Sequence, residues 1–153
     1  MGDAVFFERN RPNQKYISVN KHYVIRRMEE LKITTFNPQV MARDAEPIVK
    51  LFEEMGFARR HNKKDMGEFG VTGFRMRDEN GFYLDVSQVE ALPMDSLVSI
   101  RMNVDDFDEA YQLLISKGFK NFYGDRRVET TSARSAVMIA PTGYTINLVQ
   151  HIK

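Results

Sequence analysis

Three histidines, His22, His61 and His151, are the side chains of this chain that could titrate near neutral pH or hold a transition metal. A zinc, nickel or iron site needs several imidazoles and carboxylates brought together, commonly two from one helix or turn. None of the three is at helical or turn spacing from another, so only a contact made by the fold could unite them. Each reads first as a surface residue, with an acid or base role open to His61 and His151. Cysteine is absent, which excludes disulfides, thiolate nucleophiles and cysteine-based zinc sites. No Gly-x-Ser-x-Gly elbow is present. The glycine-rich run Gly67-Glu68-Phe69-Gly70-Val71-Thr72-Gly73 lacks Gly-x-Gly-x-x-Gly spacing and a following helix, so it reads as a loop able to close over a neighbouring site.

The 153 residues suffice for one domain with a real core, and a composition of 42% hydrophobic and 28% charged residues is that of a globular chain. No apolar run approaches the ~18 residues of a membrane span, and no segment resembles a signal peptide. Together with the missing cysteines this points to a cytoplasmic protein without a membrane partner. Charge is unevenly placed. Residues 1–27 carry Arg9, Arg11, Lys15, Lys21, Arg26 and Arg27 against Asp3 and Glu8, whereas the whole chain has a net charge of +1. Residues 1–30 therefore read as a basic, solvated extension, the alternative being an arm that binds nucleic acid, membrane phosphates or a partner protein, while a net charge so near zero gives no overall sign of a nucleic-acid partner.

The chain repeats itself. Lys50-Leu51-Phe52-Glu53-Glu54-Met55-Gly56-Phe57 resembles Gln112-Leu113-Leu114-Ile115-Ser116-Lys117-Gly118-Phe119, and Gly81-Phe82-Tyr83-Leu84-Asp85-Val86 resembles Gly143-Tyr144-Thr145-Ile146-Asn147-Leu148. Both landmarks share an offset of 62 residues. The domain accordingly spans 31–152, with units near 31–90 and 93–152.

Each unit decodes in the same way. An extended run, Lys32 to Val40 or Leu97 to Val104, precedes a helix. Asp44 is the expected cap of the first helix, with Ile48, Phe52 and Met55 on one face. Asp106 to Glu109 reads as the capping box of the second. Gly56 and Gly118 suit left-handed exits. Three strands follow in each unit: Phe57 to His61, Val71 to Met76 and Phe82 to Val86, then Phe119 to Tyr123, Ala133 to Ala140 and Tyr144 to Gln150. Asn80-Gly81 and Pro141-Thr142-Gly143 make the last turns. The class is α+β, with tandem βαβββ units.

A duplicated βαβββ unit with a Gly-Phe helix exit and a final Gly-Tyr-Thr-Ile-Asn-Leu-Val strand resembles the vicinal oxygen chelate superfamily, which includes glyoxalase I, bleomycin-resistance proteins and extradiol dioxygenases. The resemblance covers most of residues 31–150. It implies eight strands curled into a half-open cup, with a metal held by side chains from the first and last strand of each unit. Those positions fall at Asn37, Asp85, Ser99 and Asn147, with Phe36 replacing Asn37 if the first helix is adjusted by one residue. One carboxylate, two amides and a hydroxyl are a weak set for zinc, nickel or iron. The expectation is therefore a cup with no metal and no other cofactor.

Strand alternation assigns the faces. Val98, Ile100, Met102 and Val104 are expected under the helices, which leaves Ser99, Arg101 and Asn103 in the cup. Asn37, Gln39, Tyr83, Asp85, Thr145 and Asn147 join them by the same parity, with Asp85 and Arg101 as a candidate charge pair. These residues, Asn103 apart, form the expected binding site: Asn37, Gln39, Tyr83, Asp85, Ser99, Arg101, Thr145 and Asn147. The expected function is binding of a small organic molecule, as in the bleomycin-resistance proteins. The alternative is a metal-dependent enzyme of the lyase, isomerase or dioxygenase type, whose ligands include Asp85 and His61 or His151. Sequence leaves catalysis open. The edge strands permit a homodimer without deciding it.

Overall fold

A computed structural model describes residues 17–19, 22–24, 30–64 and 70–153 of the chain. The chain divides into two compact units, Met1–Leu31 and Lys32–Lys153. In the first, β1 (Ile17–Val19) and β2 (His22–Val24) pair antiparallel, with Ile17 opposite Val24. The side chains of the expected basic extension, His22 among them, lie outside the described residues, as does the 65–69 part of the glycine-rich loop.

The second unit holds the duplicated motif. β3 (Ile33–Ala42), α1 (Glu46–Glu54), β4 (Ala58–Lys64), β5 (Val71–Arg77) and β6 (Tyr83–Val89) form the first copy. β7 (Ser96–Val104), α2 (Phe107–Ser116), β8 (Lys120–Asn121), β10 (Ala133–Ile139) and β11 (Thr145–His151) form the second, with a short β9 (Val128–Glu129) against β10. The strands make one curled sheet in the order β4-β5-β6-β3-β7-β11-β10-β8. β3 and β7 join the two copies antiparallel at its centre, whereas β3–β6 and β7–β11 run parallel. The α+β fold with an eight-strand half-barrel is the one expected from the repeat.

The two helices begin differently. Asp106 caps α2, its carboxylate accepting from Glu109 N at 2.9 Å. Asp44 does not cap α1 as expected. Ala45 is the cap residue and makes no side-chain cap bond, Pro47 stiffens the first turn, and Asp44 instead accepts from Glu46 N at 3.2 Å. Both helices exit through left-handed glycines, Gly56 at φ +99° and Gly118 at φ +87°. The Asp78–Phe82 turn is likewise built on Gly81 at φ +89°, with Phe82 N donating to Asp78 Oδ1 at 2.7 Å.

The first core cluster joins Ala45 and Val49 of the α1 end to Met76, Leu84 and Val86 of the sheet, with Ile48 and Phe52 against it. Met55, expected on the same helical face, is instead exposed, because α1 ends at Glu54 and the chain turns away. Arg59 ties β4 to α1 through Glu46 and Glu53 at 2.8 and 2.7 Å. The second copy meets the same need with other residues: Arg134 of β10 pairs with Asp108 of α2 at 2.7 Å, while Arg127 stands over the Tyr111 ring at 4.2 Å.

The helix-facing side of β7 departs from expectation. Val104 is buried, but Val98 is 70% exposed, and its repeat counterpart in β3, Phe36, is 62% exposed. The reason is the placement of the helices. α1 packs over β4, β5 and β6, and α2 over β10 and β11, so Val98 and Phe36 at the seam where the copies join lie beyond the reach of both helices. Phe36 therefore points to the helix side. Asn37, only 4% exposed, is the residue on the opposite face.

Candidate functional site

Two rows of register partners cross the concave face. In the first, His61 of β4 is opposite Arg75 of β5, Arg75 is opposite Asp85 of β6, Asp85 is opposite Gln39 of β3, and Gln39 is opposite Ser99 of β7. In the second, Asn37 is opposite Arg101, Arg101 is opposite Asn147, and Asn147 is opposite Val137 of β10. The repeat offset relates the rows: Gln39, Asp85 and Arg75 have Arg101, Asn147 and Val137 as counterparts. The first copy thus carries charge at Asp85 and Arg75, where the second has an amide and a valine, while at the third pair the charge is Arg101 of the second copy.

A network of side chains locks these rows together. Asn37 Nδ2 donates to Asp85 Oδ2, and the Arg101 Nε stands 3.7 Å from the same oxygen. Arg101 Nε also donates to Asn103 Oδ1 at 3.2 Å. Gln39 accepts from Asn147 Nδ2 and donates to Ser87 Oγ, both at 2.8 Å. Because buried polar groups are costly when unpaired, such a network fixes rotamers as well as charge. Two buried oxygens stay without a hydrogen-bond partner among the described residues, Asn37 Oδ1 and Ser99 Oγ. Burial pulls the Arg101 guanidinium below its ordinary value; Asp85 opposes that shift and Arg75 adds to it by like-charge repulsion. Burial also pushes the Tyr123 phenol up.

The concave face encloses a cavity of about 520 Å³, within the range of small-molecule sites. Of the residues expected from sequence, Gln39, Asp85, Arg101 and Asn147 line it. Asn37 and Ser99 are buried beside them in the sheet. The structure does not bring Thr145 and Tyr83 to the cavity wall. Thr145 Oγ1 donates to Val98 O at 2.7 Å, holding β11 to β7. The Tyr83 ring carries the guanidinium of Arg75 at 4.6 Å and that of Arg77 at 5.4 Å. His61 and His151 both reach the cavity wall, from strands at different places in the sheet.

Sequence reasoning missed Arg75 and the hydroxyl group of Thr130, Thr131 and Ser132, which also line the cavity. The signal for Arg75 was present, since it shares strand parity with Val71 and Gly73 and is the register partner of Asp85. The hydroxyls sit in a loop, and no periodicity places a loop over a sheet.

The residues at the four ligand positions do not fit a first-row divalent metal. Asp85, the one carboxylate among the described residues that line the cavity, already accepts from the Asn37 amide and faces the Arg101 guanidinium. A metal ion would have to displace a cation from its single anionic donor, with only neutral amides and a hydroxyl in support. Among the described residues no three of His, Asp and Glu lie close enough together to hold a metal.

No protein-family model and no curated protein sequence matches the chain. Solved structures do. Methylmalonyl-CoA epimerase from Mycobacterium tuberculosis superposes with a TM-score of 0.56 at 14% identity, covering 79% of this chain and 90% of that one. The Streptomyces coelicolor epimerase, solved as a variant in complex with 2-nitronate-propionyl-CoA, gives 0.55 at 17% identity over 80% and 100% of the two chains. A glyoxalase/bleomycin resistance protein/dioxygenase superfamily member from Vibrio splendidus 12B01 gives 0.52 at 14% identity over 78% and 99%. The fold of this chain is therefore that of the vicinal oxygen chelate proteins. Among the described residues no helix is long and apolar enough to cross a membrane.

Proposed function

We propose that, on this glyoxalase-type fold, the cup binds a small organic molecule through its own side chains and without a catalytic metal ion. The observation that carries this reading is the state of Asp85, whose carboxylate is held by Asn37 and faced by Arg101. A guanidinium and an amide stand where a metal would otherwise meet its carboxylate. They supply hydrogen-bond donors to a ligand in place of Lewis acidity. For the small-molecule part of the reading, further support is that epimerases of the same fold were solved with 2-nitronate-propionyl-CoA and with methylmalonyl-CoA.

The binding mechanism follows from the wall. Gln39 and Asn147 hold each other, so their remaining polar atoms are presented in fixed directions and lose little entropy on binding. Arg101 is anchored through Nε, which leaves the outer edge of its guanidinium for a ligand. Apolar lining from Met41, Val89, Val137 and Val149 supplies the hydrophobic share of affinity.

Metal analysis of the purified, untagged chain, with unfolding temperatures measured with and without a chelator, tests the reading. The expected result is substoichiometric metal and an unchanged midpoint. A stoichiometric divalent ion whose removal lowers the midpoint would overturn it in favour of the metal-dependent enzyme.

The exposed β3–β7 seam also supports pairing with a second copy. Val98 and its repeat counterpart Phe36 are exposed on one face of it, an apolar patch that a second copy would cover.

A further inference from the structure

Among the described residues two guanidinium groups, Arg75 and Arg101, line the cavity, against one carboxylate, Asp85. That carboxylate is committed, since it accepts from Asn37 and its nearest cation is Arg101 at 3.7 Å. Arg75 has no carboxylate partner among the described residues, and its Nε is buried with no acceptor. A half-buried guanidinium of this kind still has N–H donors to offer an anion. Its plane is set by the Tyr83 ring beneath it at 4.6 Å, so the fork is oriented before any ligand arrives.

The opposite wall has the other character. At the repeat counterpart of Arg75 stands Val137, with Val149 and Val128 also on the cavity lining. Ser99 Oγ, on a residue 97% buried, is a hydroxyl with a proton still to donate near the charged row.

From this asymmetry we infer that the cup takes an amphipathic organic monoanion, its carboxylate docked at Arg75 and Arg101 and its apolar portion laid along Val137 and Val149. The inference rests on the reading of the cup as a ligand site and deepens it to a substrate class. One unmatched guanidinium calls for one negative charge, which favours a carboxylate over a phosphate dianion. The planar fork suits two parallel N–H···O bonds to a carboxylate.

The test is titration of the full chain with straight-chain carboxylates from butanoate to octanoate and with the matching neutral amides, read by NMR shifts and calorimetry. The expected result is that a carboxylate binds at least roughly tenfold more tightly than its amide, with shifts at the cup rows. Arg75→Gln should abolish that preference, and Arg75→Lys, which keeps the charge but loses the fork, should retain part of it. If Arg75→Gln does not fold, the carboxylate–amide comparison in the unaltered chain together with Arg75→Lys decides. An amide bound in the cup as tightly as its carboxylate overturns the inference and leaves the cup a ligand site. Hexyl phosphate bound more tightly than any carboxylate overturns the monoanion assignment. If no probe moves the cup resonances, the inference and the reading beneath it both fall.

Discussion

Asp85 of β6 and Arg101 of β7 belong to different copies of the repeat, yet they meet at 3.7 Å across the intervening β3, with Asn37 of that strand donating to the same carboxylate. The contact is therefore a joint between the halves of the cup as well as part of its wall. The Arg101 side chain is 21% exposed and that of Asp85 8%, so the pair is shielded but not sealed.

Asp85→Asn keeps the shape and removes the charge, which leaves Arg101 beside Arg75 with no anion. We expect a loss of about 1–3 kcal/mol in unfolding free energy, read from urea denaturation. A midpoint equal to that of the unaltered chain would mean that solvent compensates Arg101 fully and that the joint is only geometric.

The two helix starts predict unequal sensitivities. Asp106→Ala removes the bond from Glu109 N and should cost about 1 kcal/mol. Asp44→Ala should cost clearly less, because Asp44 lies outside the cap position and Pro47 already stiffens that turn. Equal losses in thermal or urea unfolding would contradict the capping assignment.

Acid should act through Asp108. The hydrogen bond from Arg134 holds its carboxyl below the usual carboxylate range, with attraction to Arg134 and Arg127 adding to the effect. A depressed folded value gives stability that is present above the unfolded value of about 3.9 and is lost as pH falls through the folded value. Asp108→Asn should therefore be the less stable protein at neutral pH, by a small margin since the group is mostly exposed. The two proteins should converge in strong acid. Unfolding temperatures measured from about pH 7 down to about pH 2 check this, and a gap that widens in acid would refute the sign.

Pairing through the β3–β7 seam predicts a dimer in analytical ultracentrifugation and a monomer for Val98→Asp, with the fold retained because Val98 is exposed within the chain. A monomeric unaltered chain would remove the second copy as the occupant of that seam.

What the sequence determined by itself was the architecture. The offset shared by Gly56 with Gly118 and by Gly81 with Gly143 marks backbone positions where a left-handed φ is required, so the repeat could be read from local chemistry alone. Period-two alternation placed Gln39, Asp85, Arg101 and Asn147 on one face, because the parity of a strand is a local property. The tertiary structure decided what local rules do not contain. It set which strands are neighbours, and so put Arg75 beside Asp85 and gave Asp85 to Asn37 and Arg101. It turned Thr145 and Tyr83 into supports, and it left Val98 uncovered because the helices lie on the flanks. Alternation names a face, but only the sheet order and the reach of the helices say what that face meets.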